Sequence, residues 1–338
     1  MSELNKKLGI VVIGRNEGER LHYTLRSVVG KGAPVVYVDS GSKDGSPQYA
    51  ASAGCSVVEL DPSLPFSAAR GRNEGYAHLM EIAPEVSFVQ FLDGDCEVME
   101  GWLEKGVDAL TQLGEAGIVC GHVAERYPRA SIYNLLCAQE WQQKPGEIRA
   151  AGGRFMVRAE IFRDVGGFRP EIIAGEDDEF SLRVRLAGWK IIQVDAPMGV
   201  HDAAMTRFGQ WWQRAKRAGH AYGQGMALHG KTTAERYYVQ DCRRIWLWGL
   251  AVPLTSLVLA PFTRGFSLLL LLAYPLAYVR LYGIGRKRQW SRKDSLIYAF
   301  FTSLFKFPAL FGLIEYYSRR RSGKVLTIIE YNQSSRRA

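Results

Sequence analysis

The last third of this 338-residue chain has very little acidic charge. Beyond residue 202 there are 5 Asp and Glu against 22 Lys and Arg, whereas residues 1–202 hold 29 acidic against 21 basic residues. The net charge of +9 thus belongs to one segment. That argues against a nucleic-acid partner and for a C-terminal region that meets an anionic surface. Cysteines are few, odd in number and scattered: Cys55, Cys96, Cys120, Cys137 and Cys242. No C-x-x-C pair exists, which excludes a cysteine metal knuckle and reads as buried thiols in a reducing compartment. The first apolar run is short and breaks at Gly14-Arg15-Asn16-Glu17, so it is expected to form a first strand rather than a secretory signal. No G-x-G-x-x-G follows that run, so a nicotinamide-binding Rossmann enzyme is excluded. A sugar-phosphate nucleotidyltransferase would open on a Gly-x-Gly-Thr-Arg loop, and that is absent too.

What is present through residue 202 is an alternation of short apolar runs and helical patterns. Strands are expected at Leu8–Ile13, Val35–Asp39, Ser56–Leu60, Ser87–Leu92, Gly117–Gly121 and Lys190–Val194. Helices are expected at Glu19–Val29, Ser46–Ala53, Ser67–Glu81 and Glu100–Leu113. This order predicts an α/β fold with a mainly parallel sheet flanked by helices. Ligands of such sheets sit beyond the strand carboxyl ends. Arg15-Asn16-Glu17, Asp39-Ser40-Gly41, Asp61 and Asp93-Gly94-Asp95 all fall there.

The C-terminal part has a different character. A basic, aromatic connector over residues 206–244 carries Trp211, Trp212, Arg214, Lys216 and Arg217. Ile245–Thr263 then runs 19 residues without a charge, and Gly265–Val279 another 15. A membrane-spanning helix needs about 20 such residues. Arg243-Arg244 and Arg286-Lys287-Arg288 flank the pair, with only Arg264 at the turn. The positive-inside rule predicts a hairpin over about 245–284 with both ends cytoplasmic. A third apolar stretch, Ser295–Ile314, is interrupted by Lys306 and Pro308 and is basic on both flanks. It is expected to lie in the interface, closing a membrane-associated region of 245–316 ahead of a basic tail at 317–338.

The residues that carry chemistry are acidic. Phe91-Leu92-Asp93-Gly94-Asp95 is an apolar run ending in two carboxylates one residue apart. They suit a hard divalent ion with phosphate oxygens, or a solvated Asp-Gly turn. Val38-Asp39 leads into a glycine- and serine-rich turn and a helix start, where an anion or nucleotide could sit. Glu176-Asp177-Asp178-Glu179 fits a helix N-terminus electrostatically, and a carboxylate held in a partly dry cleft is also suited to general-base work. His201 follows a strand pattern and could complete a metal site begun by Asp95.

Taken in order, IVVIGRNE at 10–17, VDSGSKDGS at 38–46, FSAARGRNEGY at 66–76, FLDGDCEV at 91–98, GGRFMVRAEIFRDVGGF at 152–168, GEDDEFSLRVRLAGW at 175–189 and His201 resemble an inverting family 2 glycosyltransferase of the GT-A fold. The likeness covers about residues 8–205, expected to form one catalytic domain. It implies a nucleotide-sugar donor held by Asn16, Glu17, Asp39, Arg72 and Asp93, with Arg72 near the base or diphosphate and Asp93 by the ribose. It implies a divalent metal, Mg²⁺ or Mn²⁺, on Asp95 and His201. Asp177 would be the catalytic base, with Gly153, Arg154 and Glu176 on the acceptor side. Processive members carry Gln-x-x-Arg-Trp; Gln210-Trp211-Trp212-Gln213-Arg214 here has its tryptophans before the arginine. That order favours a single addition, and leaves Arg214 and Arg217 as phosphate candidates.

The function so implied is a hexosyltransferase that moves one sugar to a lipid-linked or glycan acceptor at the cytoplasmic face of a membrane, a bacterial inner membrane, in contact with its lipids. A polyprenyl-phosphate acceptor is one alternative. A non-catalytic nucleotide-sugar-binding component of a polysaccharide-assembly complex is another.

Overall fold

A computed structural model describes residues 7–322; the expected tail beyond residue 322 lies outside the described residues. The chain divides into two compact units, Met1–Pro128 with Cys137–Ala203, and Arg129–Leu136 with Ala204–Ala338.

In chain order the strands are β1 Leu8–Gly14, β2 Val35–Asp39, β3 Ser56–Glu59, β4 Phe88–Asp93, β5 Cys96–Val98, β6 Ala116–Glu125, β7 Gly146–Glu147, β8 Phe155–Arg158 and β9 Lys190–His201. The helices up to residue 190 are α1 Glu19–Val28, α2 Ser46–Ser52, α3 Ala68–Ile82, α4 Trp102–Gln112, α5 Ile132–Glu140, α6 Ala159–Asp164 and α7 Glu176–Leu186. The sheet order is β3-β2-β1-β4-β8-β6-β9-β5, with β7 on β9.

The fold class is the expected α/β one, and the sheet is mixed. From β3 to β4 every pairing is parallel. Antiparallel pairing enters with β8, which joins β4 to β6, and with β5 on β9. The central strands β1 and β2 are buried on both faces, which is why they read as continuous apolar runs. Beneath β4 and β8 the rings of Phe91, Phe155, Phe162, Phe168 and Phe180 pack together. The buried Trp102 indole donates to Gln90 at 2.9 Å, so no polar atom is stranded there.

The second unit is helical. Helix α8, Phe208–His229, crosses Lys306–Ser322 at two glycines. A Cβ at Gly219 would stand 1.9 Å from the Ala309 carbonyl oxygen, and one at Gly312 1.8 Å from that of Lys216. The chain also winds through Val239–Trp246, a π-helical Leu247–Ala251 and Val252–Val258. Pro253 lacks a backbone donor just where the π segment ends. The helix stops at Val258, short of the 19-residue span expected to reach Thr263. Arg264, with φ 49°, sits at the turn. Across that turn Ser256 and Ser267 donate reciprocally to each other's carbonyls at 3.0 and 2.7 Å.

Among the described residues, two helices are long and apolar enough to cross a membrane: Phe266–Lys287 and Arg292–Ser322. The second covers the stretch expected to lie in the interface. Pro308 does not end it, because it occupies the first turn of Lys306–Ser322, where the missing N–H has no intrahelical role. Large apolar side chains point outward along this region, Phe262, Phe266 and Leu276 among them.

Candidate active site

The site residues gather at the carboxyl ends of β1, β2 and β4. Asn16, at φ 54°, binds across to the β2 turn: its N–H donates to Ser42 Oγ at 2.9 Å and its Oδ1 accepts from Lys43 N–H at 2.8 Å. Asp39 is buried; it accepts from the Tyr37 hydroxyl at 3.0 Å and from the Ser42 N–H at 2.7 Å. Burial and Asp39 together push the Tyr37 hydroxyl far up. Glu17 lies 2.7 Å from the Arg20 guanidinium, yet burial and the nearby Asp95 raise its carboxyl to about 7.

Gly94 lets the Asp93–Asp95 turn lie against the end of β1. Its N–H donates to Ile13 at 2.8 Å, and a Cβ there would stand 2.9 Å from Glu17 Cγ. Asp93 and Asp95 then join different clusters. Asp95 Oδ2 is 3.2 Å from His201 Nε2, because β5 pairs with β9 so that Cys96 opposes His201. Burial works to raise the Asp95 carboxyl, but His201 and the guanidiniums of Arg20 and Arg154 hold it well below the usual range. The Trp141 indole stacks on the imidazole at 4.5 Å, and the Arg154 guanidinium packs over the same indole at 5.2 Å. Arg154 Nη1 donates to His201 Nδ1 at 2.5 Å.

Ligand atoms of Asp95, Cys96 and His201 lie within 4.8 Å of one another. Two atoms each about 2.1 Å from one ion at a right angle stand about 3 Å apart, so the Asp95–His201 pair fits a shared divalent cation. Carboxylate oxygen suits Mg²⁺ or Mn²⁺, while imidazole nitrogen is better matched to a transition ion, so the pair fits Mn²⁺ better than Mg²⁺. The Cys96 thiol is raised well above its ordinary value by burial and by Asp95, which keeps its sulfur protonated.

The second cluster centres on Arg72, buried on α3. It donates to Asp93 at 2.7 Å and to Glu176 at 2.9 Å, with its guanidinium over the Phe168 ring. The resemblance gave it a place near base or diphosphate; the partners it holds are two carboxylates of the chain itself. Gly175, at φ 72°, turns the backbone into α7, whose first turn holds the four acids Glu176 to Glu179. Glu179 is taken up by Arg183 and Arg169. The half-buried Asp177 has its carboxyl raised to about 7 by burial and then by Asp178 and Glu176, against the pull of Arg72. Gly152 and Gly153 lie against this second cluster. A Cβ at Gly152 would stand 3.9 Å from Asp177 Oδ2, and one at Gly153 3.3 Å from Asp93 Oδ2 and 2.5 Å from Arg72 Nη2.

Eleven of the sequence-derived site residues lie in the first unit, in these clusters. Arg214 and Arg217 lie on α8 in the second unit. Sequence reasoning missed Arg20, Cys96 and Trp141. Arg20 sits one turn beyond Arg15-Asn16-Glu17 and could have been found by its spacing from Glu17. Trp141 falls in an irregular stretch with no periodic pattern, so nothing flagged it.

Residues 9–168 match the family model described as Glycosyl transferase family 2. The chain is similar to glycosyltransferase AglE of Haloferax volcanii, at 25% identity over 228 residues, covering 63% of this chain and 71% of AglE. In fold it is similar to the mannosyltransferase PcManGT of Pyrobaculum calidifontis, solved with GDP-Man and Mn²⁺, at TM-score 0.54 and 17% identity, covering 94% of this chain and 88% of that one. It also matches S. aureus TarS at TM-score 0.45 and 14% identity, over 73% of this chain and 49% of TarS, about half of that protein's length. The likeness to PcManGT shows the α/β, GT-A-like fold.

Proposed function

We propose that the chain is an inverting, metal-dependent glycosyltransferase that moves one hexosyl group from a nucleotide-diphosphate sugar to a lipid-linked or glycan acceptor. The observation that carries the reading is that Asp177 and Asp93 border the same pair of side-chain-free residues, Gly152 and Gly153. Donor and acceptor can meet over that gap. Asp93, Asp39, Asn16 and Glu17 line the donor side. Gly153, Arg154 and Glu176 line the acceptor side.

Asp177 takes the proton from the acceptor hydroxyl as that oxygen attacks the anomeric carbon. A carboxyl poised near 7 is matched to that transfer at neutral pH. The anomeric carbon–oxygen bond to the diphosphate breaks in the same displacement, which inverts the configuration. Asp95 and His201 would hold a divalent ion, which when bound would supply charge neutralisation for the departing diphosphate. Glu176 and Arg72 keep α7, and with it Asp177, aligned against Asp93.

The apolar C-terminal helices support a membrane anchor, with the catalytic unit on the cytoplasmic side of a bacterial inner membrane. Basic residues at both ends of the hairpin and a single charge at its turn favour that orientation. Arg214 and Arg217 on α8 would then face anionic headgroups or an acceptor phosphate.

The test is a donor screen with detergent-solubilised full chain and Mn²⁺ or Mg²⁺, scoring nucleoside diphosphate release with membrane lipid extract as acceptor. Release from one nucleotide sugar, lost in Asp177→Asn, is the expected result. No release from any donor would sink the enzymatic reading. Orientation is tested by single cysteines in a cysteine-free background: position 264 labels from outside intact cells, and position 288 only after the membrane is opened.

A further inference from the structure

We propose, on the metal reading above, that Trp141 is a positioning residue: its indole fixes the plane of the His201 ring and so aims a ring nitrogen at an ion shared with Asp95. The strands alone do not do this. His201 closes β9, paired with Cys96 of β5 on one side and Glu125 of β6 on the other, so its backbone is held from both directions. Neither pairing acts on the torsion that turns the imidazole about its own stem. That torsion is broad, without the sharp wells of an aliphatic side chain. A ring nitrogen binds an ion in the plane of its ring, which is why metal sites hold their imidazoles in place with neighbouring groups. For Nε2 to share an ion with Asp95 Oδ2, 3.2 Å away, that plane has to pass through the ion.

Trp141 supplies the missing restraint by shape. Its ring and the imidazole lie with centroids 4.5 Å apart and planes 26° apart, so a tilt of the imidazole drives its edge into the indole face. Stacked rings at this separation also attract each other in their own right. A flat face restrains a flat ring whatever charge that ring carries. The indole itself is firmly rooted. Trp141 directly follows α5; its N–H donates to the carbonyl of the buried Cys137 and its carbonyl accepts from the Gln143 N–H, each at 3.0 Å. The Arg154 guanidinium packs over the same ring at 5.2 Å, so the indole is a shared floor for a metal ligand and an acceptor-side residue.

The experiment uses the full chain in detergent with Mn²⁺ as the probe. Free Mn²⁺ counted by electron paramagnetic resonance gives the affinity, and spin-echo modulation from imidazole ¹⁴N reports whether the bound ion has a histidine ligand. Trp141→Leu removes the flat face. It should bind Mn²⁺ about tenfold more weakly, the cost of losing a group that orients a ligand, and its bound ion should show reduced nitrogen modulation. Trp141→Phe keeps a flat ring and should retain both affinity and modulation. Trp141→Met, apolar and flexible, should behave as Trp141→Leu and stands in for it if that variant does not fold. Unchanged nitrogen modulation in Trp141→Leu or Trp141→Met would overturn the role, as would a Trp141→Phe that loses modulation to the same extent. Wild type whose bound Mn²⁺ shows no nitrogen modulation would instead remove His201 as a ligand. Wild type that binds no ion even with nucleoside diphosphate would overturn the metal reading itself, and the role of Trp141 would fall with either.

Discussion

Arg72 donates to Glu176 at 2.9 Å, the residue next to the proposed base, across 104 positions of sequence. Because the same guanidinium holds Asp93 at 2.7 Å, one buried cation ties a strand end to a helix start. Arg72→Met leaves two carboxylates facing each other without it. Breaking a buried pair in this way costs about 3–5 kcal/mol. Urea unfolding should show that loss, and adding Glu176→Gln should restore part of it. A single variant as stable as wild type would mean that the pair carries no net energy.

Asp177→Asn keeps the shape and removes the proton acceptor. Transfer should fall about 10²–10⁴-fold while donor binding, measured by calorimetry, stays within a factor of about two. Asp178→Asn is the control and should cost far less. The opposite ranking would shift the base by one residue.

The raised carboxyls give a pH dependence with a definite sign. Asp177 must be ionised to accept a proton, so kcat/KM should rise with pH through about 7, and Asp177→Asn should flatten that limb. Stability runs the other way. The folded chain keeps a proton on Asp177 and Glu17 that the unfolded chain releases near its ordinary values of 3.8 and 4.5. Ion-free protein should therefore lose stability as pH rises from about 4 through about 7. Thermal midpoints that climb over that range would contradict the assignment.

Chelation and Asp95→Asn should have the same effect. Each should abolish most turnover without unfolding the chain, and only the chelated wild type should recover on adding Mn²⁺. Full activity of Asp95→Asn in EDTA would remove the ion from the reaction.

Gly153→Ala puts a methyl 2.5 Å from Arg72 Nη2. The guanidinium must move, so activity should drop sharply even if the fold survives. Gly166→Ala is a useful contrast: it shares a positive φ with Gly152 but meets nothing within 4 Å, so it should cost stability through backbone strain and leave the site intact.

Much of the sheet was legible because its central strands are buried on both faces and so read as unbroken apolar runs. β5 and β7 were not, since strands of three and two residues are too short to carry a pattern of their own, and β8 was not, although β3 of the same length was. The acidic site residues could be placed at strand ends by chain order alone. The pairing of His201 with Asp95 was expected from the order of motifs, but not how it is built: it depends on β9 running 12 residues with register shifts against β6. In the third apolar stretch Lys306 and Pro308 look like breakers in the sequence, yet they fall where a new helical turn begins and tolerates both.

Gly219 and Gly312 bring two helices together through hydrogen atoms alone. A joint made of backbone has no rotamers to exchange and so no inexpensive second arrangement. α8 and Lys306–Ser322 therefore behave as one strut, and any flexing within the helical unit has to occur around that strut rather than through it.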